Sequence, residues 1–242
     1  APKERMLQEF FNVLCLAFGK PVERFDFEYR DKDRNYHVER GLTPQEFYRK
    51  YTAGDLEDYV SVIHAPTKDK PFRKTYTVRY LGNVIGGAIR YLNLPMAEMK
   101  DLTLRQLKDG QPVWFGSDCG KYGLRKEGIW DPDSFAYDAL LGMDFSLTKE
   151  ERLDYRDSAM NHAMLICGVA LDAEDRPLRW KIENSWGEEA GRKGYFCASD
   201  KWFEAFTYQV IVHKKYLRKE YLEELEKPPV ELDPWDPMGT LA

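Results

Sequence analysis

The sequence is short of several features that would point toward particular classes of protein. No apolar run approaches the roughly 18 residues that a membrane-crossing helix needs, so nothing in it reads as a membrane span. Cysteine and histidine are both scarce, at four residues each, and neither type clusters. Cys15, Cys119, Cys167 and Cys197 show no Cys-x-x-Cys spacing, and there is no His-Glu-x-x-His, so no metal site and no disulfide framework is expected. His37 and His213 carry no partner pattern. With no secretory leader in view, the expected compartment is the reducing cytoplasm. Positive charge is not in excess either: 36 basic residues face 41 acidic ones, a net charge of −5 that supplies no broad footprint for nucleic acid.

Two near-motifs fail on inspection. Gly82 to Gly87 is glycine-rich but is not followed by Gly-Lys-Ser/Thr, so it reads as turn glycine and not as a phosphate loop. Asp31, Asp33 and Asn35 occupy the first ligand positions of a calcium loop, yet Tyr36 stands where that loop needs glycine and Leu42 where it needs glutamate. No cofactor is expected.

What is present fits a folded α+β protein. At 43% hydrophobic and 32% charged, a chain of 242 residues can bury roughly 70 to 75% of its unfolded surface. Leu7, Phe10, Phe11, Leu14, Cys15 and Phe18 recur at helical spacing up to Gly19, which places Cys15 on the helix's apolar, buried face. Phe25, Phe27 and Tyr29 alternate as a strand. Thr43-Pro44-Gln45-Glu46 is a capping box that starts a helix to Tyr51. Further strands are expected over 59–64, 75–81, 112–115 and 207–212, and helices over 95–107, 135–141, 201–206 and 214–226.

The informative stretch runs from Ser158 to Gly194. Ala163 to Leu171 is an apolar strand, Arg179 to Glu183 alternates, and a polar bend from Asp172 to Pro177 joins them as a hairpin. His162 opens the first strand and Asn184 closes the second, so antiparallel pairing makes an imidazole and an amide neighbours. Such an amide oxygen fixes the imidazole tautomer and leaves the other nitrogen free to take a proton from a nucleophile. A histidine beside an apolar strand is by itself more often structural; Asn184, within Asn-Ser-Trp-Gly, turns the balance toward catalysis. Trp186 can shield the bond from water, where it keeps more of its strength, or can serve simply as a core aromatic.

These residues resemble the papain-like cysteine peptidases. The resemblance sharpens in Phe25 to His37, Leu42 to Tyr48, Tyr91 to Pro95, Val113 to Gly116 and the ending Pro-Trp-Asp-Pro-Met-Gly-Thr-Leu-Ala. All of these are similar to the bleomycin hydrolase and bacterial aminopeptidase C branch, and the similarity runs from the first helix to the last residue. One part of the family pattern is missing: the nucleophilic cysteine lies in a Gln-x-x-x-Cys-Trp segment, and none occurs here. Cys119, in Gly-Ser-Asp-Cys-Gly, imitates that neighbourhood but precedes a glycine-broken stretch instead of a long helix whose N-terminus would lower its pKa. Cys167 and Cys197 read as small core residues.

The resemblance implies a papain-like fold, C-terminal part: an antiparallel sheet or barrel half with packed helices and an extended arm. The expected organisation is a mixed region over 1–110 continuing from a missing N-terminal part, a β domain over 111–213 holding His162 and Asn184, and a helix and arm over 214–242. The implied activity is a cysteine aminopeptidase whose nucleophile lies in an N-terminal segment outside this chain, acting on peptides with a free N-terminus as a homo-hexamer. The competing reading is a nucleophile-less peptide-binding or scaffold protein. Pro228-Pro229, Asp233-Pro234 and Asp236-Pro237 keep the tail extended, and its reach of roughly 45 Å exceeds the radius of gyration of about 18 Å for a compact chain of this length. Leu241 and Ala242 can therefore return to the cleft, where the resemblance implies that they recognise the substrate's α-ammonium.

Overall fold

The structure, a computed structural model, describes residues 2–52, 56–81 and 87–240. Two compact units emerge, residues 1–55 and 56–242. In the first, α1 (Lys3–Phe18), β1 (Phe25–Arg30), β2 (Tyr36–Leu42) and α2 (Pro44–Tyr51) follow in order. The capping box at Thr43 forms as a reciprocal pair, with the Thr43 side chain accepting from the Glu46 amide and the Glu46 carboxylate accepting from the Thr43 amide. Phe27 of β1 packs edge-on against Phe47 and Tyr51 of α2, at ring-centroid distances of 4.8 and 4.9 Å. The acidic turn between the strands is self-contained: Asp31 accepts from the Asp33 and Asn35 amides, and His37 sits 3.0 Å from its other oxygen.

Helix α1 departs from the sequence expectation. None of its residues is buried; Phe10 is 63% exposed, and Cys15 is only half-buried. Periodicity identifies which side of a helix is apolar, not what covers it.

The second unit contains β3 (Tyr59–Ile63), β4 (Lys74–Val78), β5 (Tyr91–Asn93), α3 (Met96–Lys108), β6 (Val113–Ser117), β7 (Gly123–Leu124), β8 (Ile129–Trp130), α4 (Tyr137–Leu141) and α5 (Lys149–Asp154). It continues with β9 (His162–Leu171), β10 (Pro177–Glu183), β11 (Tyr195–Ser199), α6 (Asp200–Phe206), β12 (Thr207–His213), α7 (Lys219–Leu225) and β13 (Val230–Leu232). Among the described residues these strands form one sheet of eleven, in the order β13-β4-β5-β3-β12-β6-β9-β10-β11-β8-β7. The boundary expected at residue 110 therefore falls inside a single sheet, because β3, β4 and β5 pair into the same ladder as β6 and β12.

The middle of the sheet lines the core, and several of its strands are buried on both faces. Val113 and Phe115 of β6, Ile166 of β9 and Val210 and Val212 of β12 are completely enclosed and share a core with Met99 and Leu102 of α3. Trp180 of β10, also enclosed, stacks on Phe203 of α6 at 4.4 Å and donates its Nε1–H to Asp200 at 3.0 Å. Such a pair adds about 0.5 to 1.5 kcal/mol beyond its buried area, and it fixes the second strand of the hairpin to the body. The expected helix over 214–226 is shorter: residues 214–216 form a 3₁₀ turn and α7 begins at Lys219.

Candidate active site

The hairpin of β9 and β10 builds the site. The two strands pair antiparallel from Pro177↔Leu171 to Glu183↔Leu165, with bulges near each end. Asp172 closes the bend by accepting from the Glu174 and Arg176 amides. At the open end, His162 Nε2 lies 2.8 Å from Asn184 Oδ1. The same oxygen accepts the Ser185 amide at 2.7 Å, which identifies that end of the side chain as the carbonyl. An oxygen that already accepts can only accept from the imidazole as well, so Nε2 carries the proton and, in the neutral ring, Nδ1 holds the lone pair. The Asn184 Nδ2 group is buried and has no partner among the described residues, so the amide is held through its oxygen alone. Gly194 takes φ +82°, and its carbonyl receives the Asn184 amide at 3.0 Å, which holds the residue in place from the backbone side.

Trp186 lies flat on the imidazole, with centroids 5.1 Å apart and planes 19° from parallel. Trp130 and Phe196 meet it edge-on at 6.1 and 5.5 Å. The Arg125 guanidinium sits 4.7 Å from its ring centroid. The tryptophan is thus both packed against the core and laid over the histidine.

Sequence reasoning missed the support on the other side of His162. Asp118 is 4% exposed; its two oxygens accept from Asn161 Nδ2 at 2.7 Å and Ser158 Oγ at 2.8 Å, and Tyr208 donates to Ser158 at 2.7 Å. Asn161 immediately precedes His162, and that adjacency was the one available signal.

Neither Cys119 nor Cys167 is set up as an activated thiol. Burial, then the neighbouring Asp118 carboxylate, push the Cys119 thiol up to about 11, the opposite of what activates a nucleophile. Cys167, half-buried in β9, is also raised, chiefly by burial, and its Sγ contacts the Lys181 carbonyl at 3.5 Å. Cys197 is exposed, not a core residue, because it alternates with the buried Phe196 and Ala198 along β11. Among the described residues no group of histidine, cysteine and carboxylate side chains is placed to hold a metal ion, and no helix is long and apolar enough to cross a membrane.

The tail returns toward this site. β13 pairs parallel with β4, Met238 is buried in a second core cluster with Met160 and Tyr208, and Thr240 Oγ1 donates to the Met160 carbonyl at 2.7 Å. Leu241 and Ala242 lie outside the described residues, as do residues 82–86 of the glycine-rich stretch.

A half-buried histidine tied to the asparagine of Asn-Ser-Trp-Gly, roofed by that motif's tryptophan and carried on this sheet, defines the histidine-bearing half of a papain-like peptidase fold. The sequence profile of the Peptidase C1-like family matches residues 1–239, and the chain belongs to that family. It is 51% identical to Aminopeptidase C of Streptococcus thermophilus, over all of this chain and 55% of that protein. To Aminopeptidase G of Lactobacillus delbrueckii subsp. lactis it is 43% identical, over 98% of this chain and 54% of the relative. The crystal structure of PepW from Lactobacillus rhamnosis HN001 superposes with a TM-score of 0.96 at 51% identity, covering 99% of this chain and 55% of that one. The chain therefore spans about half the length of the curated relatives it matches.

Proposed function

We propose that this chain provides the acid/base half of a cysteine aminopeptidase, and that the thiol nucleophile comes from an N-terminal segment outside the 242 residues. The observation that carries the reading is the His162–Asn184 bond at 2.8 Å beneath Trp186. With Nε2 committed to Asn184, Nδ1 takes the thiol proton. The imidazolium then stabilises the thiolate and gives its proton to the departing amine as the thiolate attacks the peptide carbonyl; in the second half-reaction the neutral imidazole deprotonates the water that hydrolyses the thioester. Asn184 orients the ring through both states, and Trp186 keeps water from competing for the shared hydrogen bond.

Relatives named Aminopeptidase C support an exopeptidase, and the tail's path to Met160 supports the means. In this reading the C-terminal arm selects the free α-ammonium of a bound peptide, and a charge-assisted hydrogen bond to that group is worth about 1.5 to 3 kcal/mol. Peptides with a free N-terminus are the substrates. The family resemblance adds a homo-hexamer of complete protomers in the cytoplasm.

The test is kinetic, in the full-length protein. His162→Ala should lower kcat/KM on aminoacyl amides about 10² to 10⁴-fold, and Asn184→Ala should cost less because the proton carrier remains. Equal or reversed losses, or retention of activity in His162→Ala, would remove these roles, and absence of turnover by the full-length parent protein would favour the scaffold reading.

A further inference from the structure

One enclosed cation lies against the arm. Lys70 is 3% exposed, and its ammonium lies 2.8 Å from Asp236 Oδ2 and 2.7 Å from Asp69 Oδ2. Asp69 is largely in solvent, whereas the Asp236 side chain is 9% exposed, so the contact to Asp236 is the enclosed one. Burial works against the lysine's charge, but hydrogen bonds to Asp236 and Asp69 outweigh it and hold the ammonium above its usual range.

The lysine itself is fixed from behind. Asn93 of β5, completely enclosed, donates to the Lys70 carbonyl at 2.7 Å and to the Ala65 carbonyl at 2.9 Å, and accepts from the Ala65 amide at 3.0 Å. Those three bonds tie the loop between β3 and β4 to the middle of the sheet. On the arm's side, Asp236 uses its other oxygen to accept the Met238 amide at 2.9 Å, which starts the 3₁₀ turn over Pro237–Gly239. The next residue is Thr240, bonded to the carbonyl of Met160 two positions before His162. A Cβ at Gly239 would come within 3.4 Å of Val78 Cγ1, so the turn also lies close against the body.

We infer that the Lys70–Asp236 ion pair is a latch that sets the register of the C-terminal arm relative to His162, making Lys70 and Asp236 positioning residues for N-terminal recognition. This rests on the reading of the arm as the part that selects a free amine. Arg79 and Asp233 also form an ion pair, but both are roughly half exposed, and screened surface pairs hold little. Loosening the latch lowers the effective concentration of the arm's end at the cleft without touching the acid/base pair.

The experiment uses the full-length protein and one peptide in two forms, free and N-acetylated. Lys70→Met, Asp236→Asn, their combination, and deletion of Gly239 to Ala242 are compared by kcat/KM on both forms. Hydrogen exchange over 233–240 is followed in the variants that retain those residues. Lys70→Met and Asp236→Asn should each reduce the preference for the free amine about tenfold, with loss of amide protection in the arm. The double variant should fall no further than either single, and Lys70→Met should change nothing more in the deletion background. Asp236→Asn keeps the acceptor for the Met238 amide, so it carries the test if Lys70→Met does not fold. If the deletion alters the preference while both point variants keep the wild-type ratio, or lower both rates equally, the latch is overturned and the arm reading stands. If the deletion itself leaves the preference unchanged, the arm reading fails and takes the latch's function with it.

Discussion

Asn161 and Asp118 grip each other beside the entry to β9: Asn161 Nδ2 donates to Asp118 Oδ1 at 2.7 Å, while Asn161 Oδ1 accepts the Cys119 amide at 3.1 Å. The Asn161 amide itself donates to the Ser117 carbonyl at 3.0 Å. His162 therefore leaves a residue whose backbone and side chain are both committed, and its position is set from upstream as well as by Asn184.

Asp118→Asn replaces one of two accepting oxygens with a donor that faces Asn161 or Ser158. A hydrogen bond to a charged group is worth about 1.5 to 3 kcal/mol, and only part of that loss reaches the imidazole. In the full-length protein kcat should fall about tenfold, with KM within about twofold. An effect confined to KM, or no effect, would mean that Asp118 supports the fold without positioning His162.

Cys119 should be dispensable. A thiol pushed up to about 11 is about one part in a thousand thiolate at pH 8. Alkylation of Cys119 at that pH should therefore be far slower than that of an ordinary exposed cysteine, and Cys119→Ser in the full-length protein should leave kcat/KM within about twofold. The 242-residue chain alone should not hydrolyse aminoacyl amides; turnover abolished by Cys119→Ala would assign the nucleophile to it after all.

His64 should make the fold acid-sensitive. Burial, then the nearby Lys149 ammonium, hold it down to about 3, although its bond to the Leu94 carbonyl opposes them. An unfolded chain takes up the same proton near 6.5. Between about pH 6.5 and 3 the unfolded state binds more protons, so the histidine's contribution to stability is full above 6.5 and falls as the pH drops through that window, by about 1.4 kcal/mol per pH unit well inside it. An NMR titration should show the His64 ring still neutral at pH 5. Urea midpoints for His64→Asn, which keeps a donor for Leu94, should depend less on pH over that window than those of the parent; equal slopes would exclude His64 as the source.

Several helices and strands were readable because their signals are local. A capping box at Thr43 needs only Thr43 and Glu46, and the hairpin needs only two apolar runs and a polar bend. The His162–Asn184 pairing followed from the same hairpin, since antiparallel strands must bring an opening residue beside a closing one. By contrast, α1 shows an apolar face that no described residue buries, Cys197 points outward although its neighbours are buried, and the sheet continues across the expected boundary at 110. Each of these depends on what lies opposite, which periodicity does not encode.

The sequence by itself determined the hairpin and the residue types at its mouth, because strand alternation and turn chemistry act within a few residues; the tail expected to be extended is so over β13 but turns into a 3₁₀ helix at Pro237–Gly239. Tertiary structure alone decided that Asp118 backs His162, that Arg125 lies on Trp186, and that Lys70 clasps Asp236. Those contacts join residues far apart in the chain through sheet order and burial. A charge becomes a partner there only because the fold removes both groups from water at the same place.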